Sequence, residues 1–167
     1  KSLGMEMAFV SRQLYAEKTI PVEISSRQAE LYVIPEGGYG HLGMQGANEI
    51  LSENQTGNFT HVLSAVGTGT TLAGLAAAAK EAQQVIGISV LKNNFSLQGE
   101  VAHLLPDGKK SAFTLLHDYH FGGYAKKSAE LFQFMNEFYK NTSIPTDFVY
   151  TGKAFYAAFN LAKKDYF

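Results

Sequence analysis

The sequence predicts an α/β fold, a three-layer α/β/α arrangement around a mostly parallel twisted sheet. Three observations point to it. Short apolar runs alternate with segments of helical period along the chain. The connections between successive runs are long enough for crossovers, which parallel strands require. Residues 61–80 read as strand, glycine–threonine turn and small-residue helix, the unit from which such sheets are built.

Taken in order, Met7-Ala8-Phe9-Val10 reads as a short strand and Ser11 to Lys18 as a helix. Leu31-Tyr32-Val33-Ile34 is an apolar run stopped by Pro35, hence a buried strand. Glu36 to Gly40 forms a flexible turn, and His41 to Glu53 a helix with Leu42, Gly46 and Ile50 on one side. Asn54 to Asn58 is a polar loop. His61 to Val66 is a strand, Gly67 to Thr71 a turn, and Leu72 to Lys80 a helix. Val85 to Leu91 and Ala112 to Leu116 are strands, separated by a helix over Phe95 to Leu105 and a Pro106-Asp107-Gly108 turn. Ser128 to Lys140 is the clearest amphipathic helix. Its Leu131, Phe134, Met135 and Phe138 recur at three- and four-residue steps, and Ser128 is suited to cap it. Ile144-Pro145 breaks the chain before a last helix, Gly152 to Lys164.

Composition narrows the function. The 167 residues suffice for one domain with a core, and 14 basic residues against 15 acidic ones leave no basic stripe for nucleic acid. There is no cysteine, so no disulfide framework and no thiolate metal site, which fits a cytoplasmic protein. No apolar run approaches the length of a membrane helix, and residues 1–6 do not resemble a signal peptide. The glycosylation sequons at Asn54, Asn58, Asn94 and Asn141 are read as chance.

The chemistry concentrates at the ends of the strands, where ligands sit in parallel sheets. The turns at Gly37, Gly67 and His117 follow predicted strands and gather on one edge. At Gly67-Thr68-Gly69-Thr70-Thr71, glycines let the backbone approach an anion, threonines add hydroxyl donors, and the helix N-terminus adds positive potential. A phosphate group is the expected guest; a structural turn that binds nothing is the alternative. No lysine stands where a Walker loop needs one, and Leu72 occupies the place of a dinucleotide fingerprint's third glycine. The turn therefore suits a phosphate monoester. Tyr124 and Tyr150 flank glycines where a hydroxyl can face a ligand, or they simply pack. His117, Asp118 and His120 lack a third metal ligand. Lys153 is a base or phosphate partner, or, more ordinarily, a solvated lysine at a helix start. Glu36 is a buried acid or a turn residue.

Four stretches, in order, carry a resemblance. They are Ile34-Pro35-Glu36-Gly37-Gly38 with Gly43 and Gly46, then Ala65 to Leu75. His117-Asp118-Tyr119 with Gly122-Gly123-Tyr124 comes next, and last Val149-Tyr150-Thr151-Gly152-Lys153-Ala154. Together they resemble the 1-aminocyclopropane-1-carboxylate deaminase and D-cysteine desulfhydrase family, pyridoxal-phosphate enzymes of the tryptophan-synthase-β fold (fold type II). The resemblance implies that Gly67, Thr68, Gly69, Thr70 and Thr71 hold the phosphate of pyridoxal 5'-phosphate, and that Tyr124 and Tyr150 face a small amino-acid substrate. It implies that Thr151 stands near the pyridine nitrogen, where the deaminase branch carries a glutamate, and this shifts the expectation toward desulfhydrase-like β-elimination. Tyr39 stands where relatives usually have serine. The family's Schiff-base lysine lies upstream of the Pro-Glu-Gly-Gly turn, and neither Lys1 nor Lys18 has its sequence context. The chain thus reads as an internal fragment: residues 1–30 a remnant of the small domain, residues 31–167 the large cofactor-binding domain, truncated at its C-terminal end. A homodimer without nucleic-acid or membrane partners is implied. For the isolated chain, weak cofactor binding or none is expected. The alternatives are a non-catalytic phosphate- or nucleotide-binding α/β module and an assembly fragment without a ligand.

Overall fold

The structure, a computed structural model, describes residue 4 and residues 7–26, 31–52, 58–110 and 112–167. Lys1, Glu53 and most of the loop around Asn54 lie outside the described residues. The chain divides into two compact units, Lys1–Ile34 and Pro35–Phe167.

In the first unit, α1 (Arg12–Ala16) starts at Ser11, whose Oγ accepts from the Leu14 amide at 3.2 Å. A second short helix, α2 (Val22–Ser25), follows Pro21. Two expected strands are absent. Met7 to Val10 is irregular, and so is Leu31 to Ile34, with Tyr32 and Ile34 about three-quarters exposed. Both runs have strand composition, but a strand is stable only when a neighbour accepts its backbone hydrogen bonds, and neither run has a described ladder partner.

The second unit holds the sheet. Its order is a 3₁₀ turn at Glu36–Gly38, α3 (His41–Ser52), β1 (His61–Val66), α4 (Thr70–Ala78), β2 (Gln84–Ser89), α5 (Leu97–Leu104), a 3₁₀ turn at Asp107–Lys109, β3 (Phe113–Leu116), α6 (Ala129–Thr142) and α7 (Thr151–Ala162). The strands are parallel in the order β1-β2-β3, with His61 opposite Gln84 and Val85 opposite Phe113. The expected alternation of strand and crossover helix is thus realised, with boundaries within two residues of those read in the sequence.

Strand β2 is central and buried from Val85 to Ser89, which explains why its sequence is a continuous apolar run rather than an alternating one. Its side chains alternate between faces. Val85, with Val66 and Phe113, packs under α3, α4 and α5 through Met44, Leu72, Ala76, Leu97 and Val101. Ile86 and Ile88 meet α7 at Ala157 and Ala154. Helices therefore cover both faces, the three-layer arrangement expected. Fully burying a leucine such as Leu72 or Leu97 contributes about 1.5–3 kcal/mol.

Helix α6 begins as its sequence predicts: the Ser128 hydroxyl accepts from the Leu131 amide at 3.1 Å. Its stripe faces α7. Leu131 and Phe138 are buried, and the Phe138 ring packs tilted against Phe155 with ring centroids 4.6 Å apart.

Candidate functional site

The carboxyl ends of the parallel strands open onto a cavity of about 840 Å³, lined from Glu36 and Gly37, from Leu63 to Leu72, and by Tyr124, Tyr150 and Thr151. That volume is typical of a small-molecule site. The structure thus brings the predicted turns at Gly37 and Gly67 to one place, joined by Tyr124 from the loop that follows His117. All of Gly67, Thr68, Gly69, Thr70, Thr71, Tyr124, Tyr150 and Thr151 line the cavity, although they come from segments as much as 84 residues apart in sequence.

The glycine–threonine turn has the geometry of an anion cradle. Gly69 is the N-cap of α4 and sits at φ 91, where a side chain is strained; a Cβ there would also lie 2.5 Å from Val101 Cγ2. Having no side chain, Gly69 leaves the first amides of α4 uncapped, and Thr70, Thr71 and Leu72, which carry them, line the cavity. The first intrahelical bond runs from the Ala73 amide to the Gly69 carbonyl at 2.9 Å. The hydroxyls of Thr68 and Thr70 lie 3.3 Å apart. Thr70 is buried and Thr71 exposed. Gly37 closes the cradle from the preceding turn: a Cβ there would fall 2.4 Å from Thr68 Oγ1, so the two turns meet only because position 37 has no side chain. A phosphate monoester fits this donor set.

The tyrosines form a pair. Their rings meet edge to face, centroids 5.9 Å apart. A hydrogen bond with Tyr124, together with partial burial and the charges of Asp147 and Glu36, pushes the Tyr150 phenol up to about 12. Tyr150 therefore holds its proton at neutral pH.

Asp147, which the sequence reading passed over, organises the turn that carries Tyr150. Its Oδ1 accepts from the Val149 amide at 2.8 Å and the Tyr150 amide at 2.7 Å. Its Oδ2 accepts from the Thr151 amide at 3.0 Å and the Thr151 hydroxyl at 2.6 Å. Burial acts to raise this carboxyl, but the hydrogen bonds from Thr151, Tyr150 and Val149 together outweigh it and hold it below the ordinary aspartate range. The signal in the sequence was an aspartate just ahead of a helix start, the position from which a short acid satisfies free amides.

Lys153 corrects an expectation. It is not a solvated helix-start residue but fully buried, and its Nζ donates to the Gly123 carbonyl at 2.8 Å. Burial lowers its pKa, against the pull of Asp147. It thereby ties α7 to the loop that carries Tyr124. No lysine lines the cavity among the described residues.

Four other residues singled out in the sequence do not join the cavity lining. The His120 Nδ1 accepts from the Gly122 amide at 2.8 Å, and His117 packs against Phe95, its Nδ1 buried without a partner. With Asp118 they form no metal-binding group of three among the described residues. Tyr39 lies back against α5, donating to the Glu100 carbonyl at 2.9 Å. No helix among the described residues is long and apolar enough to cross a membrane.

Comparison with known proteins places this geometry. A "Putative 1-aminocyclopropane-1-carboxylate deaminase" of Pyrococcus horikoshii is 32% identical over 163 residues, which take in 90% of this chain and 50% of the relative. A protein of the same name from Thermotoga maritima is 31% identical, covering 92% of this chain and 55% of its own length. The chain thus spans about half the length of the curated relatives it matches. A crystal structure described as an ACC deaminase homologue superposes with a TM-score of 0.80 at 31% identity, over 98% of this chain and 56% of that one. The family model for pyridoxal-phosphate dependent enzymes matches residues 1–167, and the chain belongs to that family.

Proposed function

We propose that the complete protein is a pyridoxal-phosphate-dependent lyase or deaminase acting on a small amino acid of the 1-aminocyclopropane-1-carboxylate or D-cysteine type. One observation carries the reading: the uncapped N-terminus of α4 and the Tyr124–Tyr150 pair open on the same cavity. In this reading Gly67 to Thr71 bind the cofactor phosphate through the first amides of α4 and the threonine hydroxyls. Thr151 lies beside the cofactor ring. Tyr150, protonated at neutral pH, and Tyr124 face the substrate together. When bound, the cofactor supplies an electron sink for the bonds to the substrate α-carbon.

Thr151 in place of a carboxylate favours the D-cysteine type of elimination over ring opening. The assignment of residues 1–30 to a small domain, the homodimer and the cytoplasmic location are parts of the same proposal.

An ultraviolet–visible titration with pyridoxal phosphate tests it, on wild type and on Gly67→Asp, in this chain and in the complete protein. The aspartate places a negative charge in the cradle. Binding that inorganic phosphate competes away and that Gly67→Asp abolishes is the expected result. A complete protein that binds no pyridoxal phosphate, or this chain binding a nucleotide more tightly, would sink the reading. Turnover of D-cysteine against aminocyclopropane carboxylate then separates the two substrate types.

A further inference from the structure

Thr151 lines the cavity, and the structure accounts for its hydroxyl proton. A threonine hydroxyl has one proton to donate and two lone pairs to accept with. The proton goes to Asp147 Oδ2, at 2.6 Å. One lone pair takes the Asp147 amide, at 2.8 Å. A single lone pair is left for whatever stands against this wall. A hydroxyl so committed can accept but cannot donate, and a carboxylate directly behind it makes its oxygen more negative.

We propose that Asp147, acting through the Thr151 hydroxyl, makes this part of the cavity an acceptor that holds a heteroaromatic ring nitrogen in its protonated N–H form. This deepens the proposed function and rests on its placement of the cofactor ring beside Thr151. Threonine alone is indifferent, since it turns its proton toward a bare nitrogen or its lone pair toward a protonated one. Asp147 removes that choice. It is a positioning residue that acts on the ligand through the Thr151 hydroxyl.

The other charges around the wall are few. Lys153, on α7, is buried behind it, with its amine on the Gly123 carbonyl. Glu36 lines the cavity from the 3₁₀ turn and, with Asp147, acts on the Tyr150 phenol. Tyr124 enters from the loop after β3. Lys153 opposes a second positive charge nearby, and the two carboxylates favour it.

The test uses 4'-deoxypyridoxine 5'-phosphate labelled with ¹⁵N in its ring. It carries the cofactor's phosphate and nitrogen but no aldehyde, so it binds without a lysine bond. The complete protein, stripped of endogenous cofactor, is titrated with pH and the ring nitrogen followed by NMR. Asp147→Asn keeps an oxygen for the Val149 and Tyr150 amides but turns an NH₂ group toward Thr151, releasing the hydroxyl proton to the cavity. Thr151→Val removes the hydroxyl and leaves Asp147 in place. Wild type should hold the nitrogen protonated to higher pH than either variant, by about one pH unit, a tenfold change in the protonation equilibrium. Should Asp147→Asn fail to fold, as judged by circular dichroism, Thr151→Val decides alone. If the probe binds and its nitrogen titrates alike in wild type and variants, the proposal is overturned while the cofactor site stands. If the probe does not bind saturably to wild type, the placement of the cofactor fails and the proposal falls with it.

Discussion

Lys153 and Asp147 each sit three residues from Tyr150, yet only the folded structure shows what they do. The lysine sits among polar-looking neighbours at a helix start, and its burial depends on a carbonyl thirty residues earlier in the chain, at Gly123. No local pattern encodes that partner. Because burial lowers its pKa, the folded state holds this proton less tightly than the unfolded chain, so stability rises with pH up to the ordinary lysine range. Lys153→Met, which fills the same space without charge, should lose that alkaline gain; denaturant melts of both proteins between neutral and high pH measure it. Asp147 behaves oppositely at the acid end. Its carboxyl is held below the ordinary aspartate range, so its contribution is complete above that range and is lost as pH falls through the depressed value. Acid melts should show a destabilisation in wild type that Asp147→Asn lacks, already incurring its cost at neutral pH.

Elements with their own punctuation were legible in the sequence. Helix α6 carries a serine cap and an apolar stripe, and both appear where expected. Ser128→Ala should cost about 1 kcal/mol in thermal or denaturant unfolding, since the Leu131 amide loses its acceptor. The glycine–threonine turn was equally legible, because only a glycine at φ 91 lets α4 start against Val101. Gly69→Ala should destabilise by roughly 1–3 kcal/mol and weaken phosphate binding with it, measured by melts and by phosphate-competed titration. The run from Leu31 to Ile34 shows the limit of such reading. Apolar composition and a following proline describe what a strand is made of, whereas pairing decides whether one forms, and pairing is a property of the neighbour.

At the scale of the molecule, the alternation of strands and helices announced the layers, and parallel order with site-bearing strand ends followed from the length of the crossovers. Among the described residues the sheet ends at β1 on one side and β3 on the other, and large apolar side chains such as Phe9, Ile34, Phe95 and Phe159 stand exposed. Surface of this kind promotes association. Light scattering on this chain should give a mass that rises with concentration.

The edge-to-face pair of Tyr124 and Tyr150 has an optical consequence. The sequence contains nine tyrosines and no tryptophan, so ultraviolet emission from this chain is tyrosine emission alone. Two of those emitters stand on the cavity wall. A chromophore bound there drains their excited states by resonance transfer, which makes the site its own fluorescent gauge of occupancy, read without label or assay.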